Sequence, residues 1–122
     1  MTNKRLSGSH FEDMACSYLE AKGYRILDRN VSLLRREIDI IASDRDTIVF
    51  VEVKGRRSDA FGSPLDAVGQ AKRRNILVAA SAYLRLRNLH NRPCRFDVVS
   101  VTAPPGGQAV LEHVENAFDA QG

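Results

Sequence analysis

Two short stretches of the 122-residue chain put acids where a β-strand does not ordinarily want them. REIDIIA, residues 36–42, holds Glu37 and Asp39, and VEVKG, residues 51–55, holds Glu52 and Lys54 after the apolar run Ile48, Val49, Phe50 and Val51. Side chains two apart on a strand share a face. The spacing therefore predicts Glu37 with Asp39 on one face and Ile38 with Ile40 on the other, and sets Glu52 beside Lys54. A carboxylate and an ammonium on an otherwise buried strand are costly unless each has a partner. If the two strands pair through the polar turn 43–46, Asp39 approaches Glu52 across the ladder, at the ends away from the turn. Facing side chains in such a pair lie about 5 Å apart, and two carboxylates that close repel unless a proton or a cation sits between them. Hard oxygen ligands of this kind suit Mg²⁺ or Mn²⁺, which keep several waters for a phosphate-bearing substrate. Lys54 would then neutralise developing charge or orient an attacking water. The plain alternative is a pair of rim salt bridges, Glu52 with Lys54 and Asp39 with an arginine.

These residues need elements to hold them. Ser9-His10-Phe11-Glu12 reads as a capping box, and Phe11, Met14, Ala15, Tyr18 and Leu19 follow at helical spacing up to Gly23. Strands are expected over 24–27, 35–42 and 47–54, the last two as a hairpin. Residues 55–63 read as a basic loop. Pro64 suits the first turn of a helix behind Ser63, broken near Gly69. A long helix then runs to residue 87 with Ile76, Ala80, Tyr83 and Leu84 inward. Strands over 95–101 and 110–115 close the chain. The order α-β-β-β-α-β, with one strand more, implies an α/β class: a single domain over residues 1–122 with a mixed central sheet flanked by helices. Residues 1–8 and 119–122 are expected to be flexible ends. Glu12 borders the apolar stripe and can look toward the sheet, although the capping box is the reading the sequence favours for it. Lys72 heads the inward stripe of the long helix, where it either reaches over the sheet edge toward a phosphate or snorkels into water.

Composition bounds the function class. The net charge of +3 and pI near 9.1 permit a polyanionic partner without demanding one. Cys16 and Cys94 have no CxxC spacing and no histidine motif around them, so they are expected to be small reduced side chains and not zinc ligands. MTNKRLSGSH lacks the apolar run of a signal peptide, and no stretch is long enough to span a membrane. A cytoplasmic location is the expectation.

An acid on the first helix, Asp39 on the second strand and Glu52-x-Lys54 on the third resemble the pattern of the PD-(D/E)xK nuclease superfamily, to which Holliday-junction resolvases belong. More closely, YLEAKGYRILDRN, REIDIIA, VFVEVKGRRSDAFGSP, RPCRFDVVSV and EHVENAF resemble the small bacterial YraN-like family over nearly the whole chain. The resemblance implies a restriction-endonuclease-like core and a Mg²⁺- or Mn²⁺-dependent endonuclease. In it Asp39, Glu52 and the Val53 backbone carbonyl hold the cation, and Glu12 supports the metal from the helix. Lys54 positions the hydrolytic water, Lys72 contacts a phosphate and Glu37 supports the site. Asp97 also matches, either as a catalytic part or as the partner of a nearby arginine. Products would be 5′-phosphate and 3′-hydroxyl ends. One departure is Arg36, where the family usually has glycine, which bears on substrate geometry more than on the metal site.

The basic groups Arg35–Arg36, Arg56–Arg57 and Lys72–Arg73–Arg74 would converge near the site and contact nucleic-acid phosphates, with DNA the expected partner and little base reading. A homodimer is an expectation of the resolvase likeness alone. Two rival readings stay open: a catalytically silent nucleic-acid-binding module, and an interaction protein that docks a partner through a strand edge or the 55–63 loop.

Overall fold

In the computed structural model, which describes residues 8–56 and 69–119, the apolar stripe of the first segment forms α1 (Gly8–Ala21). Its stop is set by glycine: Gly23 takes φ 97°, and the Tyr24 and Gly23 amides donate to the Leu19 and Glu20 carbonyls. This paired closure is the Schellman arrangement, which a Cβ at Gly23 would strain. Five strands follow: β1 (Arg25–Leu33), β2 (Arg36–Asp44), β3 (Thr47–Arg56), β4 (Cys94–Thr102) and β5 (Val110–Phe118), with α2 (Gln70–Leu86) between β3 and β4.

The sheet order is β1-β2-β3-β4-β5. Neighbours are antiparallel except β3 and β4, which are parallel and so need the α2 crossover between them. One helix covers each face. Ala15 and Leu19 of α1 pack with Tyr24, Ile40, Ala42, Val49, Val51, Val99 and Val101. Ile76, Ala79, Ala80 and Tyr83 of α2 pack with Ile38, Ile41, Ile48, Phe50, Phe96, Val98 and Phe118. Burial on both faces accounts for the unbroken apolar run from Ile48 to Val51 in β3.

The α/β class and the element order agree with the sequence reading. Four local expectations do not. The first strand runs to Leu33, not to residue 27; its alternation is hidden by a register shift between Ile26 and Asp28 and by Asn30 at φ 52°. The last strand extends to Phe118, whose ring stacks on Phe96 at 5.2 Å. Helix α1 already includes Ser9, so Ser9 is not at its N-cap position. Ile38 and Ile40 are buried on opposite faces of the sheet, because strict alternation fails at Asp39. The expected helical turn at 63–68, residues 1–7 and residues 120–122 lie outside the described residues. Among the described residues no helix is long and apolar enough to cross a membrane.

Candidate functional site

The failure of alternation at Asp39 builds the site. Pairing of β2 with β3 runs from the turn only as far as Ile40 opposite Val51. One step further, where Asp39 would face Glu52, a side chain takes over from the ladder: the Val53 amide donates to Asp39 Oδ2 at 2.8 Å. On the other flank Asn30, level with Asp39 between the pairs Arg29–Ile40 and Val31–Ile38, adopts the left-handed φ noted above. The strand is thus re-aimed at the one residue whose carboxylate can satisfy the freed amide, as irregular strand positions beside functional sites commonly do.

Glu52 is 4% exposed. Its Oε2 lies 2.9 Å from Lys72 Nζ, so the Glu52–Lys54 rim pair is not formed; the partner comes from the first turn of α2. Asp39 is within hydrogen-bonding reach of Glu52, and burial together with the Asp39 charge pushes the Glu52 carboxyl up to about 7 against the pull of Lys72. The Glu52 hydrogen bond in turn holds Lys72 above its ordinary range. Lys54 follows Glu52 on the α2 side of β3 and is half-buried. Among the described residues it has no ion-pair partner.

Glu12 reaches this centre from α1. Its side chain is largely covered, its Oε1 has no hydrogen-bond partner among the described residues, and the Arg29 guanidinium is 3.9 Å away. Burial raises its pKa, and the Asp39 charge adds to that. A capping box therefore does not explain Glu12, whose carboxylate faces the sheet. The approach of α1 depends on Gly55: a Cβ there would fall 2.0 Å from the Phe11 ring, and Phe11 is the residue before Glu12. Glu37 is exposed and acts on both Glu12 and Lys72 only through its charge.

The basic residues gather at this end of the molecule but are not equally available. Arg36 gives Nε to Asn75 Oδ1 at 3.2 Å and Nη1 to the Leu34 carbonyl at 2.9 Å, which ties the β1–β2 turn to α2. The Arg73 guanidinium lies over the Phe118 ring at 5.5 Å. Arg56 ends β3 with its Nε buried and unpartnered. Arg57 lies outside the described residues. Ser100 has no counterpart in the sequence reading: it pairs with Lys54 across β3–β4, and its hydroxyl is buried without a partner. A lone serine in a strand pattern carries no signal of this kind.

Asp97 belongs elsewhere, on the α1 side of the sheet. It receives His113 Nε2 at 2.7 Å, Arg95 Nε at 3.0 Å and the Asn116 amide at 2.9 Å. Arg95 continues to Asp44 at 3.1 Å and to the Tyr24 hydroxyl. Burial alone would raise the Asp97 carboxyl, but His113 and Arg95 outweigh it and hold the group below its ordinary value. The arginine pairing is thus the reading the structure supports. Cys16 is buried and Cys94 exposed, and both are free thiols.

A divalent cation can be tested against this donor set. Asp39 and Glu52 are two hard carboxylates in mutual repulsion, one of them desolvated, which is what a cation relieves. Among the described residues no three His, Cys, Asp or Glu side chains gather closely enough to ligate one ion. Glu12 bears on the pair through its charge. The fit is to a two-carboxylate site completed by backbone oxygen and water.

Fold and site together define a small α/β protein with a paired-carboxylate centre at the splayed end of its sheet. The chain belongs to the uncharacterised protein family UPF0102, whose model matches residues 11–101. It is 47% identical over 119 residues to a UPF0102 protein of Syntrophus aciditrophicus, covering 98% of this chain and 93% of that one. It is also 46% identical over 123 residues to a UPF0102 protein of Syntrophotalea carbinolica, covering 100% and 99%. A third relative, from Symbiobacterium thermophilum, is 45% identical over 95% of this chain and 98% of its own.

Proposed function

We propose that the protein is a metal-dependent phosphodiesterase of the PD-(D/E)xK kind that acts on nucleic acid, DNA foremost. The observation that carries this reading is the contact between Asp39 and Glu52, with Glu52 nearly buried and its carboxyl pushed up to about 7. Asp39 also accepts the Val53 amide, and the repulsion between the two carboxylates is what a cation would relieve. Asp39 and Glu52 would hold Mg²⁺ or Mn²⁺, with the Val53 carbonyl as a further oxygen. Bound there, such an ion supplies Lewis-acid stabilisation of charge on a phosphoryl oxygen. Lys54, which has no acid partner among the described residues, orients water or meets developing negative charge. Lys72 leaves Glu52 for a substrate phosphate, and Glu12 and Glu37 set the field around the pair.

The start of α2 favours an anionic substrate. Its first turn holds no acid, while Lys72, Arg73 and Arg74 stand where the helix dipole is already positive. Gly69 provides no side-chain cap. Cations in that position are relieved by a bound anion, and Arg56 with its buried Nε adds to the same end.

One observation favours a second reading. Lys72 already neutralises Glu52 at 2.9 Å, as a silent nucleic-acid-binding module would require. The deciding experiment is cleavage of labelled linear, single-stranded, flapped and four-way-junction DNA in Mg²⁺, in Mn²⁺ and in chelator, with Asp39→Ala and Lys54→Ala in parallel. Metal-dependent cutting abolished by both substitutions supports the enzyme. Cutting that survives both refutes the site. Salt-sensitive binding without cutting supports the silent module.

A further inference from the structure

The turn between β1 and β2 carries a feature that neither the carboxylate pair nor the core requires. Leu34 and Arg35 are the two central residues of a two-residue hairpin, between the paired Leu33 and Arg36, with φ 53° and 64°. Such a turn favours Asn and Gly, because both positions are left-handed. Six described non-glycine residues have positive φ: three are asparagines, two are arginines, and Leu34 alone is apolar. Leu34 is also 63% exposed, whereas Leu33 beside it packs against the α2-side core. A single exposed leucine is unremarkable on its own. Here it sits on strained backbone that is braced: Arg36 Nη1 binds the Leu34 carbonyl and Arg36 Nε binds Asn75 of α2. Strain that the surroundings hold in place points to use.

Position suggests the use. The tip is the turn that leads into β2, five residues before Asp39, at most about 16 Å at strand rise, or four to five base steps of duplex at about 3.4 Å each. Cations flank it, with Arg35 exposed beside Leu34. An apolar side chain set among arginines on a rigid hairpin is the device by which proteins pry apart adjacent bases.

Resting on the nucleic-acid reading above, we propose that the Leu34–Arg35 tip is a wedge. Leu34 enters a base step that is already distorted or branched, Arg35 takes an adjoining phosphate, and the carboxylate pair meets the backbone four to five steps away. The substrate class is then a duplex interrupted by a branch, flap or nick, in preference to uniform duplex.

The test uses the full chain carrying Asp39→Asn, so that binding is read without cleavage, on flapped and uniform duplexes with 2-aminopurine at the branch or the matching position. Leu34→Asn and Leu34→Phe are compared with Leu34; asparagine suits the left-handed turn and so keeps the hairpin. Binding is followed by anisotropy and unstacking by 2-aminopurine fluorescence. Leu34 and Leu34→Phe are expected to raise fluorescence at the branch, and Leu34→Asn to leave it at the free-DNA level. The preference for flapped over uniform duplex should fall about tenfold in Leu34→Asn, the effect of losing roughly 1.4 kcal/mol. If Leu34→Asn binds and unstacks as Leu34 does, the wedge is overturned and the nucleic-acid reading stands. No binding of either DNA by any of the proteins overturns both. A change in oligomeric state in Leu34→Asn, seen by light scattering without loss of unstacking, overturns the wedge in favour of a contact between copies.

Discussion

Replacing Glu52 with glutamine should remove a pH-dependent burden on the fold. The Glu52 carboxyl moves from 4.5 in the unfolded chain to about 7 in the folded one. Below pH 4.5 both states hold the proton and ionisation costs nothing. Between there and pH 7 the unfolded chain releases the proton while the fold retains it. Stability therefore falls as pH rises, by about 1.4 kcal/mol per unit and about 3 kcal/mol in all, and levels off above 7. Glutamine keeps the volume and an oxygen for Lys72 but has no proton to lose. Glu52→Gln should match the parent near pH 4 and exceed it by about 3 kcal/mol near pH 8. Urea midpoints of both proteins from pH 4 to 8.5 measure this, and titrations common to both, such as that of Asp97, cancel in the difference. Mn²⁺ at one hundred times its dissociation constant should restore about 2.7 kcal/mol to the parent alone. A difference that stays flat across this range would refute the reasoning, since Lys72 would then compensate Glu52 fully.

Three further outcomes are expected. Asp97→Ala strands Arg95 and His113 in a buried cluster and should destabilise by about 3–5 kcal/mol in urea unfolding. Because the Asp97 carboxyl is held below its ordinary value, its contribution is present above the unfolded value and lost as pH falls, so the difference between mutant and parent should narrow in acid. Gly55→Ala puts a methyl group into the Phe11 ring and should cost about 1–3 kcal/mol; any nucleolytic activity should fall with it, because α1 carries Glu12. Ser100→Ala removes a buried hydroxyl that has no partner, so thermal unfolding should show it neutral or stabilised by about 1 kcal/mol. Loss of activity in that stable variant would place the hydroxyl in the service of Lys54.

How much of the site was legible depended on how local each residue's cause is. Glu52 and Lys54 were visible because a charged pair interrupts an apolar run, and their shared face follows from the period of a strand. The partner of Glu52 was not visible: Lys72 is 20 residues away in sequence and is delivered by the crossover geometry of α2. Glu12 was read as a cap because S-x-x-E is a local signature, whereas its orientation is decided by how closely α1 packs, which Gly55 permits. Ser100 carried no signal because an unsatisfied hydroxyl is a property of its surroundings.

By itself the sequence determined the α/β class, the order of elements and the acids at one end of two paired strands. Periodicity, turn residues and burial preference act over a few residues and can be read in order. Tertiary structure alone decided that β2 and β3 part at Asp39, that Ile38 and Ile40 turn to opposite faces, and that Lys72 closes on Glu52. Each of these depends on an amide, a ring or an ammonium brought from a distant segment. No local period encodes such a partner.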